Sequence, residues 1–178
     1  MALFGGIVLI LLILFSFGGA FVITEKYANF NDTSQRLSPP SAEHPFGTDS
    51  IGRDILARTI YGGQISLFIG FVAVLIETIL GILIGALAGY YGGAVDAFLM
   101  RFTEAMLNIP TIFLLLVMAK FFGGKIPEIE IAGRVFSGSV VVIIVIIGAT
   151  SWMYLARIVR AEFLSLKERE FILAARAT

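Results

Sequence analysis

Long uncharged runs alternate with short polar segments along this chain, and their lengths predict its elements. The first run, Leu3 to Ile23, has 21 residues. At about 1.5 Å rise each, these match a hydrocarbon core about 30 Å thick. A signal peptide needs a basic leader and a shorter apolar stretch. Met1 and Ala2 supply no cation, so the run predicts a spanning helix. The second run goes from Ile65 to about Gly89, interrupted only by Glu77. Gly81, Gly85 and Gly89 recur every four residues and therefore share one helix face. Spanning helices associate through close packing of small residues, so this face predicts a seam for another helix.

The third run, Ala105 to Phe122, contains Pro110. Either Asn108 caps a helix with Pro110 in its first turn, or one longer helix from about Ala94 kinks there. Upstream, Asp96, Arg101, Thr103, Glu104 and Asn108 fall on one helical arc, opposite Phe98, Leu99, Phe102, Ala105 and Met106. Residues 94–109 thus read as an amphipathic segment at a membrane surface or against a partner. The fourth run, Val135 to about Tyr154, ends in Trp152 and Tyr154, which suit the headgroup level, and Arg157 and Arg160 follow at once. The pattern predicts an all-α, polytopic membrane protein with four spanning helices. Residues 1–24 hold the first, 25–64 form a polar loop broken by Pro39, Pro40 and Pro45, and 65–178 hold the rest.

Composition narrows the function classes. Of 178 residues, 58% are hydrophobic and 15% charged, against about 45–50% and 25% in an average soluble domain. Thirteen acids balance thirteen bases, which argues against a nucleic-acid binder, since such a protein shows a basic face. There is no cysteine and one histidine, His44, so thiolate sites are excluded and imidazole sites nearly so. His44, Asp49 and Asp54 recur at five-residue intervals, but one imidazole and two carboxylates make a poor metal cage. Gly47 and Gly52 as turns, with Asp49 and Asp54 capping them and Arg53 and Arg58 as ion partners, explain the loop better. An intramembrane enzyme would need a nucleophile–base pair or metal motif at lipid depth, and Glu77 is the lone acid there. At mid-bilayer an ionised Glu77 costs about 2.5–3.5 kcal/mol. It reads either as a group on the translocation path or as a protonated or hydrogen-bonded packing residue.

Lysine and arginine divide as four in 25–64, one in 91–108, three in 120–134 and five after Tyr154. Alternating crossings make seven on one side against six on the other, so totals give no orientation. The density of cations after the fourth run places the C-terminal segment in the cytoplasm and the 25–64 loop outside.

Arg157 to Thr178 is charged, helix-favouring and free of Gly and Pro. Ser165 and Glu168 have the spacing of a capping box, which predicts a new helix from about Leu166. Small residues at Ala174, Ala175 and Ala177 would let another protein approach its backbone, with Glu170 and Arg176 setting register at the rim. A solvated amphipathic helix on the membrane is the other reading.

Glu170-Phe-Ile-Leu-Ala-Ala-Arg-Ala177 resembles the EAA motif of permease subunits in bacterial and archaeal ABC importers. His44-Pro-Phe-Gly-Thr-Asp-Ser-Ile-Gly-Arg-Asp-Ile-Leu-Ala-Arg58, with Tyr61-Gly-Gly-Gln-Ile-Ser-Leu67, resembles C-type subunits of the dipeptide/oligopeptide/nickel branch. Ala86 to Gly93 and Val159 to Phe171 are similar to that branch as well.

The resemblance implies a non-catalytic, multi-pass subunit of the prokaryotic inner membrane with about six spanning helices. Four are present here, together with an amphipathic cytoplasmic coupling helix. It implies as partners a homologous second permease, two cytoplasmic ATPase subunits that bind ATP and Mg, and an extracytoplasmic solute-binding protein. No cofactor is implied for this chain. Glu170, Ala174, Ala175 and Arg176 are the implied coupling residues. Where the family continues with a glycine, a later Leu-Pro and two more helices, this chain stops at Thr178, and it starts without the family's basic leader. The expectation is therefore a fragment trimmed at both ends. Glu77 also departs from the family, which has a small or apolar residue there. A passive channel or structural membrane subunit is the alternative, and it would not need the Arg157–Thr178 segment.

Overall fold

The computed structural model describes residues 1–122, 125–131, 134–170 and 172, which are helical apart from turns and one small ladder. By contacts the chain divides into two units, Met1–Phe68 and Ile69–Thr178.

In the first unit, α1 (Ala2–Ile13) runs into one π-helical turn, Leu14–Gly18. Its apolar side chains are almost all exposed, as suits a helix in lipid, and Ser16 is buried. A Cβ at Gly63 would collide with Ser16 Oγ, and one at Gly19 would lie 2.7 Å from the Ile60 side chain. The missing side chains let the end of α1 rest on the first turns of α3 (Ile55–Tyr91). The π turn offsets the backbone ladder, and Gln64 Nε2 donates to the Ser16 carbonyl at 2.5 Å. Tyr61 Oη donates to the Ile23 carbonyl at 2.6 Å. Between these helices lie α2 (Glu25–Ala28) and a 3-10 turn, Thr33–Gln35, capped by Thr24 and Asp32 respectively.

Helix α3 starts ten residues before its apolar run. Asp54 Oδ1 accepts the Ala57 N–H at 2.7 Å, and this cap fixes the start at Ile55. The first ten residues of α3 thus occupy the end of the expected 25–64 loop, because capping rather than hydropathy sets a helix boundary.

The second unit contains the rest of α3, α4 (Gly93–Leu107), α5 (Thr111–Phe122) and α6 (Gly138–Lys167). A ladder pairs β1 (Ile129–Ile131) antiparallel with β2 (Arg134–Phe136), Ile129 facing Phe136. Among the described residues, α3 with 37 residues and α6 with 30 are long and apolar enough to cross a membrane. Helices α4 and α5, bent by 77° at their break, count as a third crossing if they form one broken span. The 17 residues from Ala2 to Gly18 are a shorter apolar helix, rising about 26 Å. This is a polytopic helical membrane protein in which length supports two or three spans among the described residues; the four expected are not confirmed.

The packing of α3 on α6 decides how the bent pair is used. Gly148 meets Ile76, Gly81 meets Leu155, Gly85 meets Val159 and Gly89 meets Phe163. Both numbers rise together, so the two helices run parallel. Two parallel spans need a return crossing between them, which α4 and α5 provide if they form one broken span.

Four other expectations change. Pro110 precedes α5, and its carbonyl accepts from the Phe113 and Leu114 N–H groups, so the third run is a break and not a kinked helix. Asn108 caps no helix start; its Nδ2 donates back to the Glu104 carbonyl at 2.8 Å, in the last turn of α4. Helix α6 passes Tyr154 and runs unbroken to Lys167, so the capping box does not form. Ser165 lies inside a helix already under way, and its carbonyl accepts the Glu168 N–H at 3.3 Å. Finally, Trp152 is a core residue. It is 4% exposed, stacks on Phe102 at 6.2 Å, and its indole N–H donates to the Ala149 carbonyl at 2.8 Å.

Candidate functional site

The α3–α6 seam is built from absent side chains. A Cβ at Gly81 would lie 2.8 Å from Leu155 Cβ, and one at Gly89 would lie 2.5 Å from Phe163 Cβ. At Gly85 it would meet the Ala156 carbonyl oxygen, and Gly148 on α6 answers with a close approach to Ile76 and Ala73. Trp152, Met153 and Ala156 form the buried cluster beside the seam, covered by Leu80, Ile84, Met106 and Leu107. Glu77 sits four residues before Gly81 on this face, half-buried, with no hydrogen bond or ion pair among the described residues.

Helix α3 ends at a corner, where Gly92 (φ 67°) and Gly93 (φ 53°) adopt the left-handed backbone that lets α4 start at once. Asp96 in the first turn of α4 is bound by Arg160 of α6: Nε donates to Oδ1, and Nη2 donates to Oδ2 at 2.6 Å. Two turns further along α6, the Lys167 ammonium donates to the Tyr90 carbonyl and lies 5.7 Å from the centre of the Tyr90 ring. The lysine thereby occupies an orphan carbonyl at the end of α3, where the helix dipole favours a cation. On α4 two residues of the polar arc turn inward, Thr103 buried and Asp96 16% exposed at its side chain, whereas Arg101, Glu104 and Asn108 are exposed, as is Phe98 at 70%.

In the first unit the loop is held by its acids. Asp49 Oδ1 accepts the Ile51 and Arg53 N–H groups at 2.9 and 3.0 Å, and Arg53 Nε donates to Oδ2 at 2.8 Å. The Arg53 N–H, then the Ile51 N–H and the Arg53 guanidinium, hold the Asp49 carboxyl down at about 2. Since a free aspartate titrates near 3.9, the carboxylate stabilises the loop fully above about pH 4, and that support is lost as pH falls through 2. NMR of the carboxyl carbon in micelles should place its midpoint near 2, and Asp49→Asn should speed amide exchange at Ile51 and Arg53 at pH 7. His44 Nδ1 lies 2.9 Å from Asp54 Oδ2, and Nε2 hydrogen-bonds Gln35 Oε1. They border a cavity of about 90 Å³ with Tyr27 and Glu43. Burial, then the charges of Asp54 and Glu43, push the Tyr27 hydroxyl up. Gly47 and Gly52, at φ 72° and 82°, make the turns.

The structure brings Gly81, Gly85 and Gly89 onto one seam and leaves Glu170 exposed just beyond α6. Ala174, Ala175 and Arg176 lie outside the described residues. Sequence reasoning missed the Asp96–Arg160 and Tyr90–Lys167 pairs, because partners 64 and 77 positions apart obey no spacing rule. Asp96 in the first turn of an amphipathic helix was the available signal.

Comparison with known proteins gives these elements a family. Residues 81–178 match the model described as binding-protein-dependent transport system inner membrane component. The match thus begins at the first seam glycine and takes in α4, α5 and α6. Over 99% of its length the chain is 35% identical to half of the dipeptide transport system permease protein DppC of Bacillus subtilis. It is 40% identical, over 81% of its length, to 42% of the oligopeptide transport system permease protein OppC of Haemophilus influenzae. A putative peptide permease of Brucella abortus is 39% identical over 78% of this chain and 41% of that protein. The chain spans about half the length of the curated relatives it matches. It is a multi-pass protein of the cell inner membrane, and it belongs to the family of inner membrane components of binding-protein-dependent transport systems.

Proposed function

We propose that this chain belongs to the permease of an ATP-driven ABC importer for peptides and forms part of one half of its translocation pathway. The observation that carries the reading is the unbroken course of α6 from lipid-depth residues through Arg157 and Arg160 to Lys167. A single rod then runs from the membrane core to within three residues of Glu170. In this reading the segment from Glu170 to Ala177 is cytoplasmic and docks on a partner ATPase, which binds ATP and Mg and performs the hydrolysis. A second, homologous permease completes the path, and an extracytoplasmic protein delivers the solute. The names of the relatives favour dipeptides and oligopeptides over nickel or other small solutes. Glu77, at mid-helix four residues before Gly81, has no hydrogen bond or ion pair among the described residues, and we assign its carboxyl to a neighbour that the second permease or the solute supplies.

The test is direct. The unaltered permease should co-purify with ATPase subunits, and replacing both Ala174 and Ala175 with Trp should abolish solute-stimulated ATP hydrolysis while membrane insertion persists. Normal hydrolysis in that variant, or an unaltered permease that never recovers an ATPase, would leave the passive channel or structural subunit as the better account.

A further inference from the structure

We propose that Asp96, Arg160 and Lys167 are positioning residues that lock the end of α6 to the α3–α4 corner, so that force applied beyond Lys167 moves α4 together with α6. The inference rests on the importer reading above and adds to it the route by which a push on the coupling segment reaches a second helix. Three observations converge. The Arg160 guanidinium grips Asp96 in a two-pronged, charge-assisted pair across the α4–α6 contact. Their side chains are 33% and 16% exposed, so the pair is shielded from salt more than an open surface pair. Lys167, seven residues later, fixes the same helix to the Tyr90 carbonyl at the end of α3 and to the Tyr90 ring. The backbone around the corner has no side chains to spare. Gly89 lies against the Arg160 backbone, with a Cβ placed 3.0 Å from its carbonyl oxygen, and Gly92 and Gly93 form the turn.

A hinge at this corner would decouple α4 from α6. An ion pair on one side of the turn and a charge-assisted hydrogen bond on the other oppose that freedom. Both lie within ten residues of Glu170, the first of the coupling residues. Packing holds the far end of α4, where Phe102 stacks on Trp152 and Met106 and Leu107 cover the α6 cluster, whereas at the corner Phe98 faces outward and the ties supply the constraint.

The experiment uses the full permease co-purified with its ATPase subunits, and the absence of cysteine from this stretch makes an introduced thiol its one label site here. Phe98→Cys on the exposed flank of α4 is labelled with a maleimide in the nucleotide-free state and with ATP and vanadate. A nucleotide-dependent change in labelling rate is expected. It should be lost in Asp96→Asn and in Lys167→Gln while the ATPase still co-purifies, and it should return in the charge-exchanged pair Asp96→Arg with Arg160→Asp. Should Asp96→Asn fail to insert, Lys167→Gln and the exchanged pair carry the same comparison. A change that persists in Lys167→Gln and Asp96→Asn overturns the lock, as does an unaltered complex whose labelling ignores nucleotide. Failure to recover any ATPase overturns instead the importer reading beneath it.

Discussion

Gly85→Ala should loosen the α3–α6 seam at a cost of about 2–3 kcal/mol, the upper range for overpacking. The added Cβ would meet the Ala156 carbonyl oxygen and lie 2.8 Å from Val159 Cβ. A side chain can rotate away from a clash, but a carbonyl within a helix cannot, so α6 must move off α3. Movement separates Trp152, Met153 and Ala156 from Leu80 and Ile84, and the seam loses contacts along its whole length. Gly70→Ala on the same helix provides the contrast. Nothing lies within 4 Å of its Cβ position, and alanine is the better helix former by up to about 1 kcal/mol. Thermal unfolding in detergent should therefore fall for Gly85→Ala and stay level or rise for Gly70→Ala. Equal transitions would mean that the close approach at Gly85 is not a real constraint.

That contrast shows what hydropathy leaves out. Glycines spaced by four marked the seam face of α3, because lipid-soluble helices have few other means of close contact. The partner helix and its direction were not readable, since Gly148 lies ten residues from Gly138, the other glycine of α6, and no periodicity announces it. Boundaries were legible only where chemistry and hydropathy agreed. Asp54 begins α3 inside a polar segment, and α6 continues past Tyr154 because no residue before Lys167 stops a helix. Ser165 and Glu168 have the letters of a capping box but lie where the backbone is already helical, so the motif had nothing to cap. The loop was the reverse case. Gly47, Gly52, Asp49 and Asp54 were readable as turns and caps because such bonds are local, whereas the Arg160–Asp96 and Lys167–Tyr90 ties join distant positions and needed the fold to appear.

Asp54→Ala should strongly destabilise the first unit, because one carboxylate serves two elements. Oδ1 caps α3 through the Ala57 N–H at 2.7 Å, and Oδ2 holds His44 Nδ1 at 2.9 Å, with the side chain only 4% exposed. Loss of a helix cap costs about 1 kcal/mol, and a buried imidazole left without its partner costs about 1–3 more. A total of about 2–4 kcal/mol follows, because the two penalties fall on different groups. The effect should be local and graded along the chain. Amide hydrogen exchange should accelerate at Ala57 and through the turns at Gly47 and Gly52, while Trp152 fluorescence from the buried core of the second unit stays unchanged. Asp54→Asn keeps an oxygen for the cap and an amide able to pair with His44, so it should lose about 1 kcal/mol or less. If Asn and Ala behave alike, the cap is not what starts α3 at Ile55. If exchange at Ala57 does not change in either variant, the ten polar-flanked residues at the head of α3 are held by their packing on α1 through Gly63 and Gly19 instead.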